Sequence, residues 1–297
     1  MVVRAGGKCA TTNGAGLING GTPLPRLKLL TSLICFVTFD LFVDTCDVNP
    51  VRNEFSNIHA AALNEIESPH DSQPFAPVWH TSVVLILLSF VVASSTGLHQ
   101  LHRADHVNHR IFSYIAIATA EWLISAFIWL GCSRPGFTLR TLTGPMSSNW
   151  RPVLRDIGVA LAFLIAANIL LAIVGHLIRA TPNQSLRNLL PHGRAEVAGY
   201  LFLALTAAIC EEVIYRGYLQ RQFTQWTKSA SIGIILQSMI FGASHAYQGA
   251  GLMLTICLYG CLFGLLARWR GSLRPGMMAH FLQDGIGGLL LASYAVK

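Results

Sequence analysis

Seven side chains in the last third of the chain have types and spacings that could do chemistry. Two carboxylates are adjacent, an arginine follows four residues after the second, and two further pairs spaced by four occur in later apolar segments. The seven are Glu211, Glu212, Arg216, Phe241, His245, His280 and Asp284. Holding an ionisable group inside a membrane costs free energy, so several of them in apolar segments indicate one shared, hydrated cavity.

The adjacent acids differ in their expected partners. Glu212 and Arg216 have the spacing and order that favour an ion pair on a helix. That pairing leaves Glu211 free, and an unpaired, desolvated carboxylate is suited to take a proton from water. The alternative is that both acids only stabilise a helix end. Glu121, in an earlier apolar segment, either lines the same cavity or pairs with an arginine.

The two histidines are placed to join Glu211. His245 lies about as far after a turn near residues 227–228 as Glu211 lies before it, so antiparallel helices bring both to similar depth. Phe241 lies one turn before His245 and packs beside it. His280 and Asp284 are one turn apart, so the acid orients an imidazole that stabilises an oxyanion or binds a metal. The alternative for each histidine is a polar packing residue.

The composition predicts the elements that must position these groups. Hydrophobic residues make up 53% of the 297 residues and charged residues 12%, whereas soluble domains carry roughly a quarter. With a mean hydropathy of +0.50, the chain is predicted to be an all-α, polytopic transmembrane helical bundle. Its net charge of +7 comes mostly from Arg beside apolar runs, so nucleic-acid binding is not implied. The seven cysteines form no C-x-x-C zinc motif.

Residues 79–297 are predicted to form the membrane domain, with the catalytic cavity inside the bundle. Its apolar segments are near 80–98, 111–131, 154–178, 197–215, 230–247, 250–268 and 275–296. Each is about long enough to cross a bilayer, which predicts seven spans. Residues 1–78 are predicted to be poorly structured. An apolar stretch at Leu29–Phe42, weakened by Asp40, would make an eighth span if it crossed.

The distribution of Arg and Lys predicts the orientation. The segments after spans two, four and six carry more of these residues than those after spans one, three and five. The positive-inside rule therefore places the N-terminus of the first of the seven spans and the segment after Glu211 on the cytoplasmic side.

Three ordered motifs carry a family resemblance. They are Glu211-Glu212-x-x-x-Arg216, Phe241-x-x-x-His245 and His280-x-x-x-Asp284. Together they resemble the CAAX prenyl protease and bacteriocin-processing (CPBP) family of intramembrane endopeptidases, over roughly residues 155–297. The resemblance implies that Glu211 activates water, that His245 assists, and that His280 with the residue four later stabilises the oxyanion. Many members of that family have Asn where this chain has Asp284, so this Asp must be protonated or must act by orienting His280.

Two alternatives concern a metal and the class of protein. A glutamate-dependent mechanism without metal is favoured, but Glu211, His245 and His280 would also make a three-ligand Zn²⁺ site. A non-catalytic membrane binding or immunity protein, or a proton-coupled transporter, would use the same polar cluster differently. Transporters often contain duplicated halves, and no duplication is visible in the sequence.

The expected partners are the lipid bilayer and a membrane protein or peptide substrate that is lipidated or cut near its C-terminal tail. The expected location is the bacterial cytoplasmic membrane, with the chain as an integral, multi-pass protein.

Overall fold

The computed structural model describes residues 76–101, 107–132, 138–145 and 149–295. The apolar stretch at Leu29–Phe42, and the predicted N-terminal region up to residue 75, lie outside these residues. Every regular element in the described part is helical. The helices are α1 (Val78–Leu101), α2 (Val107–Cys132), α3 (Leu139–Thr143), α4 (Trp150–Leu177), α5 (Gln184–Leu189), α6 (Arg194–Glu211), a π-helix (Glu212–Leu219), α7 (Gln220–Thr227), α8 (Ala230–Ser244), a 3₁₀ turn (Ala246–Gln248), α9 (Ala250–Arg270) and α10 (Arg274–Ala295).

In the part of the chain that the structure describes, four helical stretches are long and apolar enough to cross a membrane. They are Arg110–Cys132, Trp150–Leu177, Arg194–Thr227 and Ala250–Arg270, and the apolar helices Val78–Ser94 and Ala230–Ser244 are shorter. The prediction of an all-α, multi-pass membrane protein is therefore confirmed. The predicted number of seven spans is not established by these lengths and stays a prediction.

The outer faces of the helices are apolar, and the contacts between helices use small residues. On α4, Ile165 and Ile169 are more than half exposed, whereas Ala160 and Ala167 are buried. The small side chains let backbones approach closely, which is how membrane helices pack where no water drives association. The hydrophobic cluster that contains Ala160 and Ala167 also includes Phe263 on α9, so α4, α9 and α10 form one side of the bundle.

The fourth predicted span is longer than its apolar run. Helical structure continues from Arg194 to Thr227, 34 residues, through the segment that was expected to be a loop after Glu211. Arg216, counted in that loop, is 1% exposed. The chain turns at Lys228, which has a positive φ of 57°, and α8 begins after the Ser229 cap. The predicted turn near residues 227–228 is therefore confirmed, but the prediction of a loop before that turn is wrong.

Tryptophan and arginine mark one end of the bundle. Arg151 lies over the ring of Trp150 at 5.4 Å, and Arg270 lies over the ring of Trp269 at the same distance. Asp156 joins the start of α4 to Arg270, at 3.0 Å. Amphipathic rings with cationic neighbours are typical of the membrane–water interface, so the start of α4 and the end of α9 share one face.

Candidate active site

The π-helix places both acids of the first motif. Gln220 N–H donates to the carbonyl of Tyr215, five residues earlier, as the wider π turn requires. Within this turn Arg216 Nη1 lies 3.0 Å from Glu212 Oε1, and neither side chain is exposed. The predicted ion pair is confirmed. Glu211 precedes the π-helix as the last residue of α6, and its side chain is 16% exposed.

Three carboxylates surround His280. Its Nδ1 lies 3.2 Å from Glu212 Oε1, and its Nε2 lies 3.6 Å from Glu211 Oε2 and 3.4 Å from Asp284 Oδ2. His280 is 4% exposed. The structure thus brings the first and third motifs together. The contact from Glu212 to His280 was not anticipated, because the sequence indicated Asp284 as the group that orients this imidazole.

A glycine makes room for that contact. Gly276 lies in the first turn of α10, and a Cβ at this position would be 2.8 Å from Glu212 Oε2. Real Cβ atoms essentially never come that close, so an alanine here would force the Glu212 carboxylate, which Arg216 and His280 hold, to shift. The close approach is what places His280, one turn later, against the paired acid.

Phe241 lies between the two histidines. Its ring centroid is 4.9 Å from the ring of His245 and 6.1 Å from the ring of His280. The Arg216 guanidinium also lies over aromatic rings, 4.3 Å from the Phe241 centroid and 5.0 Å from the Phe263 centroid. The second motif therefore joins the other two through an aromatic ring, and cation–π contact adds to the binding of the buried guanidinium.

His245 ends α8 in a defined tautomer. Its Nδ1 lies 2.9 Å from the carbonyl oxygen of Phe241 and 3.1 Å from Ser244 Oγ. A carbonyl only accepts, so Nδ1 carries the hydrogen and Nε2 is left as an acceptor. Tyr247 stacks on the imidazole at 6.2 Å. Burial raises the pKa of the Tyr247 hydroxyl above its ordinary value, with Glu211 contributing, so this hydroxyl stays protonated.

Glu121 joins the acids of the site from α2. It interacts electrostatically with Glu211, His280 and Asp284, and its buried Oε2 has no hydrogen-bond partner among the described residues. Glu211 Oε2 is likewise buried, and no described residue makes a hydrogen bond to it. Of the two expectations for Glu121, the one in which it lines the same cavity agrees with these interactions.

The three proposed zinc ligands do not form a metal-ready set. Within the described residues, no group of three or more His, Cys, Asp or Glu side chains is arranged to hold a metal ion. Nδ1 of His245 is bound to a carbonyl and Nδ1 of His280 to a carboxylate, an orientation that metal-binding histidines also use. The hydrogen bonds therefore do not decide between the two mechanisms. Independence from metal stays a prediction.

Comparison with known proteins gives one family and one relative. Residues 193–286 match the family described as type II CAAX prenyl endopeptidase Rce1-like. The uncharacterized protein YpbD of Bacillus subtilis (strain 168) is 34% identical over 88 residues. That region is 29% of this chain and 42% of YpbD, so the match spans less than half of this curated relative. No solved structure matches the chain.

The matched region agrees with the predicted resemblance. It contains all three ordered motifs, from Glu211 to Asp284, together with α6 and most of α10. Residues 193–286 are therefore similar to the family described as type II CAAX prenyl endopeptidase Rce1-like, as the three motifs predicted.

Proposed function

We propose that this protein is an intramembrane endopeptidase that hydrolyses a peptide bond with water activated by Glu211. The observation that carries the proposal is the contact of His280 Nε2 with Glu211 Oε2, at 3.6 Å, beside a second acid whose charge Arg216 balances. One carboxylate is thus neutralised, and the other keeps an oxygen to which none of the residues described by the structure makes a hydrogen bond. The family of residues 193–286 supports the reaction class.

Glu211 is the general base of the proposed reaction. Its carboxylate takes one proton from a water molecule, and the water oxygen forms a bond to the carbonyl carbon of the substrate. Removal of most bulk water strengthens every electrostatic interaction at this step. The proton on Glu211 then passes to the substrate nitrogen as the C–N bond breaks, giving a new carboxylic acid and a free amine.

His280 stabilises the negative charge on the substrate oxygen. Its Nδ1–H donates to Glu212, which fixes the ring, and we assign a second hydrogen to Nε2, which faces Glu211 and Asp284. A donor held in place before the reaction stabilises an oxyanion without reorganisation. Asp284 contacts the same nitrogen and is 39% exposed, so we assign it to orienting His280 rather than to contacting the oxyanion as an anion.

His245 assists through its free nitrogen. With Nδ1–H bound to the Phe241 carbonyl, Nε2 presents a lone pair. We assign this lone pair to a hydrogen bond from the attacking water, which orients the water toward the carbonyl carbon. The Phe241 ring contacts both imidazoles and so holds them near each other. Glu212 and Arg216 support the site without reacting.

The proposed substrate is a membrane protein or peptide that is lipidated or cleaved near its C-terminal tail. A reactive cluster inside a lipid-facing bundle selects chains that already lie in the bilayer. We place the protein in the bacterial cytoplasmic membrane, which the similarity to a Bacillus protein supports.

The test is cleavage of a synthetic farnesylated peptide ending in a CAAX sequence by the purified protein in liposomes. In H₂¹⁸O, hydrolysis places one ¹⁸O in the new carboxylate of the product, which mass spectrometry detects. No product from this peptide or from a panel of prenylated peptides, together with proton flux across the liposome membrane, would favour the transporter alternative.

A further inference from the structure

A polar pair faces lipid at the contact between α4 and α10. Asn168 lies on the most apolar of the spanning helices, whose mean hydropathy reaches 2.8, yet this side chain is exposed. Its Nδ2 donates to the carbonyl of Leu164 at 2.9 Å and to Gln283 Oε1 at 2.7 Å. The Tyr259 hydroxyl donates to the same Oε1 at 3.5 Å. Polar side chains at this depth are costly, which makes them candidates for function.

The hydrogen bonds of the pair determine which groups remain free. The Leu164 carbonyl can only accept, so Asn168 must direct its amide nitrogen there and Gln283 must direct its oxygen to Asn168. The acceptor Asn168 Oδ1 and the donor Gln283 Nε2 then have no partner among the described residues. A single bond between helices would be enough to join α4 and α10, so the exposed acceptor and donor are not explained by packing.

The pair is adjacent to the reactive cluster. Gln283 directly precedes Asp284, whose Oδ2 lies 3.4 Å from His280 Nε2. Gly287 lies one turn later beside Gln283 Nε2, where a Cβ would be in ordinary van der Waals contact at 3.6 Å. At about 3.3 Å per residue, two or three residues of an extended peptide cover the width of one helix side chain.

We infer that Asn168 and Gln283 form a docking site for the backbone of the substrate peptide, which rests on the proposed function. Gln283 Nε2–H donates to a substrate carbonyl, and Asn168 Oδ1 accepts a substrate N–H. One donor and one acceptor side by side are the complement of a peptide group, whereas acyl chains of lipid carry neither. The substrate therefore docks from the lipid side, over the contact between α4 and α10, already within the bilayer.

Kinetics separate docking from packing. Asn168→Leu and Gln283→Leu are each expected to raise KM for the farnesylated CAAX peptide about fivefold, the effect of roughly one hydrogen bond, with kcat within about twofold of wild type. Ile165→Leu, one turn earlier on the exposed face of α4, is the matched control and should leave KM unchanged. A purely structural role would lower the unfolding temperature of the Asn168 and Gln283 variants and leave KM unchanged.

Photocrosslinking tests docking without cleavage. A benzoylphenylalanine at Ala172, exposed one turn after Asn168, should capture the same peptide, and one at Ile86, exposed on α1, should not. Unchanged KM in both leucine variants, or equal capture at the two positions, overturns the docking site. If Glu211→Gln abolishes cleavage in that case, the proposed function stands alone; if the wild type neither cleaves nor captures the peptide, both fail.

Discussion

Replacing Arg216 with alanine tests the buried charge at the centre of the bundle. The Arg216 and Glu212 side chains are both fully buried, 3.0 Å apart. Removing one partner of a buried pair strands the other charge and costs about 3–5 kcal/mol. The guanidinium also lies over two aromatic rings, and a desolvated cation–π contact adds about 2 kcal/mol. Glu212 keeps His280 as a partner, so we expect the stranded charge to cost near its lower limit and the total loss to be about 5 kcal/mol.

The assay is reversible unfolding of the purified protein in mixed micelles, with the free energy of unfolding compared between variants. Arg110→Ala, which breaks the 2.9 Å pair with Glu196, is the control. Its loss should be smaller, because Arg110 is 14% exposed and Glu196 also accepts from His192 N–H. Less protein should accumulate in the membrane for the Arg216 variant, in proportion to its instability.

A double variant separates stability from activity. Glu212→Leu combined with Arg216→Met replaces the pair by apolar groups of similar size, which is often neutral or stabilising. We expect it to recover most of the lost stability and to remain inactive, because His280 loses the acceptor of its Nδ1–H. An Arg216→Ala variant within about 0.5 kcal/mol of wild type, or a double variant no more stable than the single one, would refute the reasoning.

Three further predictions use other parts of the site. Gly276→Ala should destabilise the protein by about 1–3 kcal/mol and lower cleavage, because its Cβ would be 2.8 Å from Glu212 Oε2, whereas Gly158→Ala meets nothing within 4 Å and should not destabilise it; equal unfolding free energies would contradict this. Glu121→Leu should stabilise the protein by about 1–3 kcal/mol, because it removes a buried oxygen that has no hydrogen-bond partner among the described residues. The same change should lower cleavage, because Glu121 interacts with Glu211 and His280. A less stable variant would show that this carboxylate has a structural partner. Strong chelators should leave cleavage unchanged and no stoichiometric zinc should co-purify, whereas about one zinc per chain with activity restored by Zn²⁺ would overturn the metal-free mechanism.

Contacts within one helix were predictable from the sequence, and contacts between helices were only partly so. The spacing of Glu212 and Arg216 predicted their pair, since neighbours on one helix follow from geometry. The bond from His280 to Glu212 joins residues 68 apart, and its cause is the close approach at Gly276. No periodicity within either segment encodes that approach.

The extra length of the fourth helix was also hidden from hydropathy. Gln220 and Gln222 look like loop residues, but Gln220 donates to the Gly264 carbonyl and Gln222 to that of Ala76. These distant carbonyls satisfy the buried amides, so polar composition there reflects packing partners rather than solvent. The π-helix also packs closely against a distant element. A Cβ at Gly217 would be 3.1 Å from the Leu142 carbonyl, a contact with α3 that the local sequence does not indicate.

The most direct test of the central claim is single-turnover cleavage of the farnesylated CAAX peptide by Glu211→Gln. Glutamine keeps the size of the side chain and removes only its ability to take a proton. We predict that the rate falls by about 10³-fold, within the usual range for a general base, while the unfolding free energy stays at or above that of wild type. A folded Glu211→Gln protein that cleaves the peptide at the wild-type rate would contradict the assignment of Glu211 as the base.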